Sequence, residues 1–201
     1  MPRDILAEVS DETLLVLYAN GDPEASRLLT LRLAPRVLGY AMRLLADRAE
    51  AEDVTQETML RLWRVAPEWR TGEARVSTWA YRVVTNLCSD HRRARQRRPA
   101  VALEDAPEVA DGARGVVAGL IEADRRAALK AALDLLPKRQ RQAVVLRHIE
   151  GMANPEIAEI LGVGVEAVES LTARGKRALA AILAGRRYEL GYDGGDEQGD
   201  G

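Results

Sequence analysis

Between Ala49 and Arg98 the chain gathers the residue types that bind unpaired bases and phosphates. All three tryptophans, Trp63, Trp69 and Trp79, lie in this stretch of a protein that has no phenylalanine. They are followed by His91-Arg92-Arg93-Ala94-Arg95-Gln96-Arg97-Arg98. Indole rings stack on bases and guanidinium groups pair with phosphate oxygens, so the combination suits a single-stranded nucleic acid. An aromatic core beside a solvated helix end uses the same residues, and composition alone does not separate the two readings.

Spacing favours the first. Thr78–Gln96 contains neither proline nor glycine, and Ser77 stands where a cap would start a helix. At about 100° per residue, Ala80, Val83, Val84, Leu87, Cys88 and His91 cover one side. Trp79, Arg82, Asn86, Asp90, Arg93 and Arg97 fall in a separate stripe at steps of three and four. Asp90 would repel phosphate there unless Arg93 or Arg97 pairs with it. The helix before it, Ala49–Val65, opens with Glu50, Glu52 and Asp53, which suits the positive end of its dipole. Ala51, Val54, Thr58, Leu62 and Val65 form its inward face. Asp53, Gln56, Glu57, Leu60 and Arg64 line up elsewhere, as a solvated stripe or as a docking site in which Leu60 is covered by a partner.

These helices need a scaffold, and the rest of the chain supplies helical signals. Ser10 caps a short helix to Asn20 that Gly21 ends. Asp22-Pro23 starts a longer one toward Ala46, with Leu28, Leu31, Val37, Leu38, Leu44 and Leu45 available for packing and Pro35 expected to kink or interrupt it. Pro99–Leu120 is proline- and glycine-punctuated and has no period, so it reads as a linker with a possible helical start near Val116. A second block follows: Glu122–Leu135, a break at Leu136-Pro137, and Lys138–Glu150 closed by Gly151. Asn154 as cap and Pro155 at the first position begin a helix that ends at Gly162, and another runs over Val165–Leu183. Ala158, Gly162 and Val168 occupy the small, turn and buried positions of a helix-turn-helix. The expected fold is all-α: helical domains at 1–98 and 122–187, a flexible linker at 99–121 and a disordered acidic tail at 188–201.

The formal net charge of −2 hides an uneven distribution. Residues 1–98 hold 16 basic and 14 acidic side chains and 122–187 hold 12 and 8, whereas 99–121 hold one and four and the tail none and five. Local patches rather than the total set affinity for DNA. No apolar run is long enough to span a bilayer and no signal peptide opens the chain, which points to the cytoplasm. The single cysteine, Cys88, excludes an internal disulfide and reads as a small core residue. His91 and His148 lack companion ligands, and no phosphate-binding glycine loop, nucleophile–base motif or Mg²⁺ carboxylate cluster supports an enzyme or a cofactor.

At this point the residues resemble a known family. AEDVTQETMLRLWRVAPEW, followed by GEARVSTWAYRVVTNLCSDHRRARQRR, is similar to region 2 of bacterial extracytoplasmic-function (ECF) sigma factors, and LDLLPKRQRQAVVLRHIEGMANPEIAEILGV resembles their region 4. The resemblance implies that Asp53, Gln56, Glu57 and Leu60 grip the β′ clamp helices of RNA polymerase. Trp69 and the loop to Ser77, with Trp79, Arg82, Asn86, Arg93 and Arg97, would open and read the promoter −10 element. It further implies that region 4 meets the β flap, that the linker threads through the polymerase, and that an anti-sigma factor occludes the polymerase-binding faces. Residues of the last helix would read the −35 element: Glu166, Glu169, Ser170, Ala173, Arg174, Lys176 and Arg177. On its wheel Val165, Val168, Thr172, Gly175 and Leu179 turn inward. The chain departs from the family in having Glu169 and Leu171 where basic residues are common, and Thr172 where an aliphatic one is. A helix-turn-helix repressor or activator with a helical dimerisation domain is the alternative, and the tryptophan–arginine stripe is what such a protein would not need.

Overall fold

The computed structural model of the protein describes residues 9–70, 72, 74–97 and 116–184, the last segment with side chains from 124 onward. Among these residues every regular element is helical and none is a strand. The linker expected over 99–121 is helical from Val116 onward, so its last six residues belong to a helix; its remainder and the acidic tail over 188–201 lie outside the described residues.

The first unit starts with α1, Asp11–Ala19, whose first turn is closed by Ser10 Oγ accepting from the Thr13 N–H at 3.2 Å. Gly21 at φ +92° then turns the chain into α2, Pro23–Leu45. The Asp22 carboxylate accepts from the N–H groups of Glu24 and Ala25, and Pro23 begins the helix at no cost in hydrogen bonds. Leu29, Leu33, Val37, Tyr40, Ala41 and Leu44 make the buried stripe of α2. Pro35 does not interrupt it. Pro35 and Leu31 both face outward, so the Leu31 carbonyl that loses its partner lies on the solvent side, and Leu31 is 59% exposed rather than packed. Ala46, at φ 59°, ends α2 in the left-handed region that normally favours glycine.

Asp47 caps α3, Arg48–Val65, by accepting from the Glu50 N–H at 3.0 Å. A 3₁₀ turn, Ala66–Glu68, leads towards α4, Val76–Arg97. Ser77 is not the cap of α4; it lies inside the first turn. The N–H of Val76 is met instead by Glu12 Oε1 of α1 at 3.0 Å, a carboxylate placed at the positive end of the helix by tertiary structure. Helices α2, α3 and α4 pack on one another and α1 closes the side of α2.

The second unit comprises α5, Val116–Asp134; α6, Lys138–Val144; α7, Asn154–Leu161; and α8, Val165–Ala184. The helix expected over Lys138–Glu150 widens into a π-turn at Val145–Ile149 before Gly151. Asn154 is not a cap but the first residue of α7, and the preceding Ala153 N–H is satisfied by Glu156 Oε2 at 2.9 Å. Gly162 at φ 63° makes the turn into α8, with Ala158 and Val168 buried on either side of it. Val165 is 41% exposed, not inward, because it sits at the very start of α8.

α8 crosses α6 closely at Gly175. A Cβ there would come within 2.6 Å of Val144 Cγ2 and 3.2 Å of the Gln140 carbonyl oxygen. Gly175→Ala is therefore expected to destabilise the protein by about 1–2 kcal/mol in urea unfolding, because overpacking outweighs the gain of roughly 1 kcal/mol in helix propensity. Adding Val144→Ala should recover part of that loss, whereas strictly additive effects would show that the crossing is not tight.

Candidate nucleic-acid interface

α4 presents three different surfaces. Of the apolar side that the spacing predicts, Ala80, Val84 and Cys88 are buried against the first unit and Val83, Leu87 and His91 are only half-buried, while Val76, outside the predicted set, is buried with them. Arg82, Asn86, Asp90, Arg93 and Arg97 are exposed in one stripe. Asp90 is paired with Arg93 at 3.5 Å, which offsets its repulsion of phosphate. Trp79 heads the stripe but is half-buried, with its ring edge-to-face on Trp69 at 6.3 Å and 85°. Both rings pack against the core, so neither is a free platform. The Trp69 indole N–H is buried with no acceptor among the described residues. Trp63 packs on Tyr18 at 4.6 Å and belongs to the core.

The third surface of α4 was not legible from the apolar pattern. Tyr81 and Thr85 are buried as fully as the aliphatic residues. Thr85 Oγ1 lies 3.0 Å from Tyr40 Oη and donates to the Tyr81 carbonyl oxygen. The Tyr81 hydroxyl donates to Glu150 Oε2 of the second unit. Burial, and then this bond to a carboxylate, hold the Tyr81 phenol protonated well above the ordinary tyrosine range. The line Thr78, Tyr81, Thr85, Ser89, small and hydroxylated around one ring, is the trace this surface leaves in the sequence.

α7 packs along this side of α4. Beside the contact lies a polar cleft of about 370 Å³, with Asn86, Asp90 and Arg93 on one wall and Lys138, Arg139, Ile160 and Leu161 on the other. Lys138 loses affinity for its proton through burial and through Arg93, Arg139 and Arg92, in that order.

On α3, Asp53 and Gln56 are exposed, Glu57 is half-exposed and ion-paired with Arg61 at 2.7 Å, and Leu60 is 50% exposed. On α8, Glu166, Glu169, Ser170, Ala173, Arg174, Lys176 and Arg177 are all exposed. Arg174 is steadied by Ser170, with Nη2 donating to Ser170 Oγ at 2.7 Å and Nε to its carbonyl oxygen at 3.2 Å. Leu171 is half-buried and packs on the core, and Thr172 Oγ1 is buried with no partner among the described residues. A hydroxyl left unpaired in this way costs stability, which an aliphatic residue would not.

Two segments of the chain match family models, residues 29–98 the sigma-70 region 2 model and residues 126–179 the sigma-70 region 4 model. The chain belongs to the ECF branch of the sigma-70 family. It is 32% identical over 190 residues to the RNA polymerase sigma-H factor of Pseudomonas aeruginosa, covering 89% of this chain and 96% of that one. It is 36% identical over 177 residues to the ECF sigma factor SigM of Mycobacterium tuberculosis, covering 88% and 86%. Among solved structures it resembles CnrH in complex with the cytosolic domain of CnrY, at 26% identity and a TM-score of 0.65 over 87% of this chain and 97% of that one. The sigma factor RpoE of Bartonella quintana, solved with the anti-sigma factor NepR, shares the fold at 22% identity and a TM-score of 0.64 over 79% and 96%. Sigma factors are not catalytic enzymes. Among the described residues no helix is long and apolar enough to cross a membrane.

Proposed function

We propose that this ECF sigma factor binds core RNA polymerase, opens promoters at the −10 element with α4 and reads the −35 element with α8. The domain plan is region 2 over 1–98, a linker from 99 to the start of α5 at Val116, region 4 from α5 to 187 and an acidic tail over 188–201. The observation that carries the reading is the exposed stripe of α4 together with the exposed Leu60 row of α3. A duplex-binding regulator needs neither. Asn86 and Arg93 serve unpaired bases and adjacent phosphates, with Arg82 and Arg97 extending the basic track. Trp79 and Trp69 act chiefly by holding the start of α4, and only the exposed edge of Trp79 is left for a base. The chain works in the cytoplasm, and CnrH, solved with a partner's cytosolic domain, supports an anti-sigma partner that covers the polymerase-binding faces.

The β′ clamp helices are assigned to Asp53, Gln56, Glu57 and Leu60, and the β flap to region 4. Glu57→Lys with Leu60→Ala is expected to weaken binding to core enzyme by at least about 2 kcal/mol, the scale of an interface hot spot. Helix content should not change, since both side chains lie off the buried face. Unaltered affinity in a titration with core polymerase removes this assignment.

At the −35 element Arg174 is the main reader, pre-oriented by Ser170 and supported by Lys176 and Arg177. Glu169 accepts from a cytosine amino group, a pairing that discriminates by about 1–3 kcal/mol. Glu166 and Ala173 border the groove. Arg174→Ala should abolish preference for the −35 duplex, and Glu169→Arg should strengthen binding to scrambled DNA with a steeper salt dependence. The check is affinity for cognate and scrambled duplexes across a salt series. Sharper discrimination by Glu169→Arg contradicts the assignment.

A further inference from the structure

The polar cleft beside α4 holds two cations that the promoter-reading assignment does not use. Lys138 and Arg139, from the start of α6, line it together with Arg93 of α4, against the single carboxylate of Asp90. Asp90 is already paired with Arg93 at 3.5 Å, and Arg139 donates to the Leu161 carbonyl oxygen at 2.8 Å. Lys138 is half-buried, yet it has no hydrogen-bond or ion-pair partner among the described residues. Burial, and then Arg93, Arg139 and Arg92, weaken its hold on a proton, and Asp90 offsets this only in part. An ammonium crowded by guanidinium groups and lacking a counter-charge is destabilising, and an anion seated beside it would relieve that cost.

The rest of the lining narrows the kind of anion. Gln142 is the most deeply buried residue there, at 2% exposure, and its Oε1 has no donor among the described residues. A buried carbonyl oxygen calls for an N–H or O–H group, which a bare phosphate dianion does not carry. Ile160 and Leu161 add an apolar patch suited to a ring, and the Asn86 amide can both donate and accept. Ser89 Oγ spends its proton on the Thr85 carbonyl oxygen at 2.6 Å and is left as an acceptor. At about 370 Å³ the cleft is at the small end of ligand-sized pockets, which suits one small molecule and not a strand of nucleic acid.

We propose that this cleft binds a nucleoside monophosphate. Its phosphate sits with Lys138, Arg139 and Arg93, its ring lies on Ile160 and Leu161, and one of its N–H or O–H groups donates to Gln142. The site itself does not depend on the sigma reading. Only its overlap with the proposed DNA stripe, through Asn86 and Arg93, rests on that reading.

The test follows the full isotope-labelled chain by NMR during titration with adenosine or guanosine monophosphate, and separately with each nucleoside and with inorganic phosphate. At least one nucleotide should give saturable shifts at Asn86, Ser89 and Gln142, with a Kd about tenfold or more below those of its nucleoside and of phosphate. Lys138→Gln with Arg139→Gln should raise that Kd by about tenfold or more, as the loss of charge-assisted hydrogen bonds predicts, with circular dichroism unchanged. Lys138→Arg keeps the charge and should raise it far less. No saturable shift with either nucleotide at millimolar concentration overturns the site. Phosphate binding as tightly as the nucleotide overturns the ligand class, because the ring and Gln142 would then contribute nothing. Nucleotide binding that survives the double substitution places the ligand elsewhere and also overturns it. A final arm measures single-stranded DNA: if the double substitution weakens DNA binding while wild type takes no nucleotide, these cations serve DNA and the proposal fails. Core polymerase enters none of these titrations, so the site and the sigma reading fail separately.

Discussion

The phenol of Tyr81 lies where three parts of the molecule meet. Its ring stands edge-on to Tyr40 at 5.1 Å, Arg36 lies over its face at 5.8 Å, and its hydroxyl ends on Glu150. Tyr40 in turn is anchored to Thr85, so α2 and α4 are joined by ring packing and hydroxyl contacts at the same level. Because an α-helix offers a limited circumference, burying Tyr81 and Thr85 on one side and Val84 and Cys88 on another leaves only one stripe for a ligand. Asn86 and Arg93 occupy that stripe by geometric necessity.

The two recognition helices are positioned by contrasting means. α4 is long and clamped on several sides, and even its first N–H is held by Glu12 from across the fold. α8 is fixed at its start by the Gly162 turn and Val168, and at mid-length by the missing side chain of Gly175, while much of its surface stays exposed. The stripe proposed to read the −35 element thus lies on a helix with one firm edge, and the stripe proposed to capture bases on a helix that is held along much of its length yet exposed at Asn86 and Arg93.

The caps show what a local reading can and cannot find. Ser10, Asp22-Pro23 and Gly162 act through bonds and dihedral preferences within a few residues, and the sequence pattern reveals them directly. Ser77 and Asn154 have the right residue type, yet the helices begin at Val76 and Asn154, where Glu12 and Glu156 supply acceptors. Glu12, delivered from another helix, leaves no trace at the site it caps, whereas Glu156 acts from within its own helix, three residues beyond Ala153. Likewise the α4 stripe was readable as a periodicity, but Trp79 is half-buried because Trp69, ten residues earlier, folds back against it. Glu150 carries no local mark at all, since its importance comes only from where the second unit rests.

The central claim is that this chain confers promoter specificity on RNA polymerase. Run-off transcription on fragmented genomic DNA, with core enzyme alone and with core enzyme plus this protein, tests it most directly. The account predicts discrete transcripts that appear only when the protein is added, starting downstream of a common pair of −10 and −35 sequences. Identical products with and without the protein, or binding to duplex promoter DNA without initiation, would contradict it.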